Sequence, residues 1–172
     1  ERPQMRVTLN YDFSIGKSEV TCAEFNSLMK SSKISVPCEK DNYPATNLTY
    51  YDAVLLANAR SKNEGFDTAY TYSNVELNSE NHCVNLEGFA FHPEVDAYRL
   101  PTEAEWVFVA GRFWNMKNAW TADNSDYHLH AVCSKSENAQ VCDMVGNAME
   151  WVNDWLGNFR DTAVANYVGA PD

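Results

Sequence analysis

Long hydrophobic runs are missing from this sequence. No apolar stretch approaches the roughly 20 residues that a membrane-spanning helix needs. No basic segment leads into an apolar run, so no secretory leader is read. The chain starts at Glu1 rather than Met, and a processed or trimmed product is expected. Positive charge is also scarce. Lys and Arg total 13 against 24 Asp and Glu, a net charge of −11. Such a balance argues against nucleic acid and anionic lipid as partners. The deficit is uneven: residues 1–40 balance to +1, and residues 41–172 to −12. An acidic body suits bound cations or simply aids solubility.

Several chemical signatures are absent too. There is no C-x-x-C pair, phosphate loop, HExxH zinc motif or Ser-His-Asp order signal. His82, His92, His128 and His130 do not form a zinc spacing with two close cysteines. Repeats, low-complexity tracts and Pro/Gly-rich linkers are missing, so residues 1–172 read as one domain.

What is present is a globular composition, 45% hydrophobic and 22% charged. Five cysteines stand at positions 22, 38, 83, 133 and 142. That count fits an oxidising compartment. The neighbours Cys22 with Cys38 and Cys133 with Cys142 would make loop staples and leave Cys83 over. The sequence leaves the connectivity open.

Three capping boxes predict three helices. Thr21 to Glu24 opens one, with Phe25, Leu28 and Met29 at helical spacing. Thr49 to Asp52 opens a second through Val54, Leu55 and Ala59, which Gly65 stops. Thr102 to Glu105 opens a third, with Trp106, Val109 and Ala110 inward and Gly111 as its end. Partial alternation over residues 5–15 predicts an early strand. Residues 66–98 and 113–142 read as loop, and Met149, Trp151 and Val152 as a late strand. The class is α+β with sparse regular structure.

Four blocks carry the family signal. Residues 15–21 read Ile-Gly-Lys-Ser-Glu-Val-Thr, followed by Phe25. Residues 43–53 read Tyr-Pro-Ala-Thr-Asn-Leu-Thr-Tyr-Tyr-Asp-Ala. Residues 98–106 read Tyr-Arg-Leu-Pro-Thr-Glu-Ala-Glu-Trp, and residues 143–151 read Asp-Met-Val-Gly-Asn-Ala-Met-Glu-Trp. In this order they resemble the formylglycine-generating enzyme, or sulfatase-modifying factor, family. The resemblance implies a C-type-lectin-like α+β fold with long loops.

It also implies a structural calcium ion. Carried onto matching positions, its ligands would be the side chains of Asp143 and Glu150 and the carbonyls of Gly146 and Ala148. Hard oxygen donors on a turning backbone suit calcium. A second calcium would fall after Trp120, with Asn124 as its side-chain ligand and Ser125 supplying a carbonyl. Trp151-Val152-Asn153-Asp154 resembles the contiguous Trp-Asn-Asp triplet of sugar-binding lectins, but Val152 interrupts it, which argues against sugar binding there.

The family's enzyme oxidises a substrate cysteine with oxygen, using copper(I) held by two close cysteines. Soft thiolates suit that ion. In the family this pair lies beyond an RGGSW-like segment that residues 1–172 do not contain. Copper is therefore not expected on this chain, which reads as truncated at its C-terminal end, and no catalytic residue is assigned. The expected function is a non-catalytic, extracytoplasmic binding or structural module with a protein or glycan ligand. The alternative is the oxidase, or a relative, without its catalytic segment. Some bacterial relatives serve in cell-envelope assemblies, a third class. Tyr70, Tyr72, Phe89, Phe91, Trp114, Trp120 and Tyr127 are candidate platform aromatics or core.

Overall fold

A computed structural model describes residues 5–158 and 162–170. In chain order the elements are β1 (Val7–Thr8), α1 (Cys22–Leu28), α2 (Tyr50–Glu64), β2 (Tyr70–Thr71), β3 (Asn74–Leu77), β4 (Cys83–Glu87), β5 (Ala90–Phe91), α3 (Glu103–Phe113) and β6 (Val164–Ala165). A single 3-10 turn, Met116–Asn118, follows α3. This is the sparse α+β architecture that the composition suggests.

All three helices start at the expected caps. Thr49 and Thr102 form reciprocal boxes with Asp52 and Glu105. Thr21 accepts from the Glu24 amide, but the Glu24 carboxylate turns to Arg60 at 3.0 Å. Gly65 ends α2 at φ 81°, with its N–H on the Ser61 and Lys62 carbonyls. Gly111 does not end α3. The helix runs on to Phe113, because Gly111 stays helical and the chain leaves at Trp114 in extended backbone.

The strand expectations need more correction. Of residues 5–15 only Val7–Thr8 is a strand, paired in parallel with Val164–Ala165. Residues 66–98 stay mostly loop, as expected, but they also carry short strands that were not expected. The strands form two small antiparallel pairs, β2 with β5 and β3 with β4. Asn74 and Asn85 sit on exposed positions, and the strands are too short for a buried period to stand out. Met149 to Val152 is irregular rather than a strand. Met149 is fully exposed.

The main core lies between α1, α2 and the small sheets, around Phe25, Val54 and Tyr70. Asn58 on α2 clamps Tyr70 by both backbone groups, at 2.8 and 3.3 Å. A smaller core joins Val109 and Ala110 of α3 to Met144. Tyr70 is buried, and Tyr72, Phe89 and Phe91 pack against the main core. Trp120 stacks on His130. Trp114 and Tyr127 are exposed. Of the two disulfides, Cys22–Cys38 ties the start of α1 to a loop and Cys133–Cys142 staples a loop. Cys83 is free and buried.

Candidate functional site

The block at 98–106 makes a closed structural unit. Arg99 donates twice to the Glu105 carboxylate, at 2.8 and 2.7 Å. The same carboxylate accepts from the Thr102 amide at 2.7 Å and from the Tyr11 hydroxyl at 2.9 Å. Thr102 and Glu105 are almost fully buried. Burial alone would raise the Glu105 pKa; the Arg99 guanidinium and the Thr102 N–H more than offset it and hold the carboxyl low.

All four sequence blocks meet around residues 143–151. Trp106 at the end of the third block donates its indole N–H to Glu150. Trp151 donates to the Leu48 carbonyl at 3.2 Å, and its ring lies edge-on to Tyr50 of the second block. Glu19 of the first block accepts from the Ala148 amide at 2.9 Å and from the Asn147 side chain at 3.0 Å. The Cys142 amide donates to the Lys17 carbonyl at 2.7 Å.

The turn itself is tightly specified. Asp143, Gly146 and Asn147 have positive φ of 55°, 82° and 55°. Gly146 lies against Trp120, and a Cβ on it would stand 1.9 Å from the Trp120 carbonyl oxygen. Only glycine fits that approach at that φ. Asn147 donates its amide to the same Trp120 oxygen at 2.8 Å. Its side chain bonds both backbone groups of His130, at 3.0 and 3.2 Å.

Asp143 and Glu150, the two expected side-chain ligands, interact electrostatically, and Glu19 feels both charges. Glu19 is 9% exposed and its pKa is pushed up to about 8, first by burial and then by Asp143 and Glu150. Desolvation of the Glu150 carboxylate raises its pKa, with Asp143 adding to the rise and the Trp106 hydrogen bond opposing it. The residue as a whole keeps surface exposed. Sequence reasoning missed Glu19. Its signal was an acid inside the first family block, flanked by Val20 and Ile15 that pack inward.

The candidate donors are all oxygens, the type a hard cation takes. Asp143 Oδ2 accepts from the Cys133 amide. Asp143 Oδ1 is buried with no hydrogen-bond partner among the described residues. A carboxylate oxygen shut away from water without a donor is costly unless a cation joins it. Among the described residues, no three His, Cys, Asp or Glu side chains converge to hold a metal by themselves. Asp143 and Glu150 would share the ion with the Gly146 and Ala148 carbonyls. Asn124 sits in the turn after Trp120. Its Oδ1 accepts from the Thr121 amide at 2.9 Å and its NH2 donates to the Ala119 carbonyl at 3.1 Å. The Ser125 carbonyl accepts from the His128 amide at 3.0 Å.

The lectin-like Asn and Asp are held internally. Asn153 accepts from the Tyr70 hydroxyl at 2.7 Å, deep in the core. Asp154 Oδ2 accepts from the Glu103 amide at 2.7 Å, capping α3.

Fold and blocks together define an α+β domain of C-type-lectin-like type. The model of the sulfatase-modifying factor enzyme 1-like domain matches residues 1–168, and the chain belongs to that family. A chaperone protein, LppX, of Paenibacillus barcinonensis is 28% identical over 182 residues, covering 87% of this chain and 64% of the relative. The chain thus spans a little under two thirds of that relative's length. Treponema denticola variable protein 1 superposes with a TM-score of 0.67 at 23% identity, over 88% of this chain and 66% of that one. The crystal structure of CarF gives 0.62 at 23% identity, over 88% and 75%. These two share the fold.

Proposed function

We propose that this chain is a non-catalytic, extracytoplasmic binding or structural module on the sulfatase-modifying-factor fold, with a structural calcium ion held by Asp143, Gly146, Ala148 and Glu150. The state of the cysteines carries the first part. The family's copper chemistry needs two close thiolates. Four of the five cysteines here are in disulfides. The fifth, Cys83, is buried, and burial pushes its thiol pKa up. A protonated, enclosed thiol is a poor ligand and a poor nucleophile. Two disulfides also favour an oxidising compartment. No helix among the described residues is long and apolar enough to cross a membrane. The chaperone relative favours a protein as the ligand over a glycan.

The oxidase is the second reading, favoured by the family match itself. It requires a thiolate pair from outside residues 1–172.

Thiol trapping in the native host tests the module reading. Cells quenched in acid and alkylated before reduction should yield a chain blocked at Cys83 alone, and only after denaturation. Alkylation of all five cysteines without reduction would overturn the extracytoplasmic placement. Conversion of a sulfatase cysteine peptide to formylglycine by the full-length protein with copper(I) and oxygen would overturn the non-catalytic part.

A further inference from the structure

A cleft of about 250 Å³ opens between the C-terminal end of α3 and the 136–145 segment. It is below the roughly 300–1,000 Å³ of drug-sized pockets, so it suits a compact ligand. Part of its wall is apolar, including Trp114 and Met144. Trp114 keeps 57% of its surface exposed. A flat apolar group would cover that ring.

The polar lining is rich in donors. Arg112 rests its guanidinium 4.2 Å over the Phe108 ring. No carboxylate pairs with it among the described residues. Asn115 gives its side-chain oxygen to the Lys117 amide at 3.1 Å, which leaves its NH2 group as a donor. Ser136 Oγ is buried with no hydrogen-bond partner among the described residues. That hydroxyl is closed off from the cleft, so the donors a ligand reaches are Arg112 and Asn115. Between Glu105 and Asp123 the chain carries Arg112 and Lys117 and no acid, within a region that balances to −12. Among the described residues one acid lines the cleft, Asp143. The calcium ion of the preceding reading would offset its charge.

We propose that this cleft binds a carboxylate carried on a compact apolar or aromatic group. The carboxylate accepts from Arg112 and Asn115, and the apolar part lies against Trp114. A guanidinium and an amide NH2 both supply charge-assisted bonds to one planar anion. Such a carboxylate comes from a free small acid or from the C-terminal residue of a peptide. The proposal rests on the binding-module reading and gives it a ligand class.

Phenylacetate titrated into the calcium-loaded chain should shift the Trp114 indole N–H saturably in two-dimensional NMR. Phenylacetamide, the neutral isostere, should bind at least tenfold more weakly. Arg112→Gln should weaken phenylacetate at least tenfold, and this exposed position leaves the fold intact. Equal affinity for acid and amide, no effect of Arg112→Gln, or no saturation at millimolar phenylacetate would each overturn the proposal. N-acetyl-glycyl-phenylalanine binding more tightly than phenylacetate assigns the carboxylate to a peptide terminus; the reverse assigns it to a free acid. Binding lost in chelator supports a neutralised Asp143. Binding unchanged in chelator supports the cleft and counts against calcium at Asp143. Failed titrations alongside the expected thiol-trapping pattern sink the cleft alone and leave the module reading standing.

Discussion

Glu19 and Ala148 lie 129 positions apart and are joined by a 2.9 Å hydrogen bond from the Ala148 amide to Glu19 Oε1. That bond holds a buried acid beside the Asp143 and Glu150 carboxylates. It makes the first sequence block part of the 143–150 turn, and it makes the stability of the turn depend on pH.

The sign follows from the pKa. Glu19 in the folded chain titrates at about 8 against an ordinary value of 4.5. Between those values the folded chain keeps a proton that the unfolded chain has lost. Stability in chelator therefore falls as pH rises from 4.5 to 8, and Glu19 adds no slope outside that window. Glu19→Gln should flatten this part of the profile in urea denaturation. Added calcium should also shrink the slope, because a nearby cation lowers the carboxyl pKa. An unchanged slope in the variant would show that another group titrates.

Calcium removal should loosen the same turn. At an ion concentration a hundredfold above its dissociation constant, binding contributes about 2.7 kcal/mol. For a domain of this size that corresponds to a drop of roughly 5–10 °C in Tm on adding chelator. Glu150→Ala should abolish the response. The Cys133 amide donates to Asp143, so Cys133→Ser with Cys142→Ser should reduce the response as well. Cys22→Ser with Cys38→Ser should lower overall stability by about 3 kcal/mol and leave the response in place. Scanning calorimetry with and without chelator checks all three; no shift in the parent chain refutes the calcium assignment.

The helix starts and the family were legible because they rest on local chemistry. Thr49, Thr102 and their reciprocal acids declare caps within four residues. The strands were not. Asn58 holds Tyr70 from α2, and strands of two to five residues have too few positions for a period to emerge. Gly111 was misread because a helix tolerates glycine when its φ stays negative; Gly65, at φ 81°, is the true stop. In the site, Asp143 and Glu150 could be named as candidate ligands because they stand inside one block. Glu19 could not, since its role depends on a contact across the whole chain. The Arg112 and Asn115 cleft had no sequence signal at all.

Gly146→Ala should be among the most damaging single changes in the chain. A methyl there would meet the Trp120 carbonyl oxygen at 1.9 Å, and the φ of 82° disfavours any side chain. Backbone strain of this kind costs about 1–3 kcal/mol before the clash is relieved. Relief would part Asn147 from Trp120 and open the turn. A loss of more than about 3 kcal/mol is expected in chemical denaturation, together with loss of the chelator response. Gly111→Ala is the control. Nothing lies within 4 Å of a Cβ there, and removing a mid-helix glycine should stabilise α3 by roughly 0.5–1 kcal/mol.

The Arg99–Glu105 pair sets the acid limit of the fold. Glu105 is 1% exposed and its carboxylate serves Arg99, Thr102 and Tyr11 together. Its pKa is held below the ordinary 4.5. A depressed pKa means a contribution that is full above the unfolded value and lost as pH falls through the folded one. Glu105→Ala leaves the half-buried Arg99 without its anion and the Thr102 amide without its cap. Breaking a buried pair from one side costs about 3–5 kcal/mol. Glu105→Gln keeps an oxygen for the Thr102 amide and should lose less. In both variants the acid limb of the stability profile below pH 4.5 should flatten, since the group that titrates there is gone. An acid limb of unchanged steepness in Glu105→Gln would place the acid sensitivity in another carboxylate.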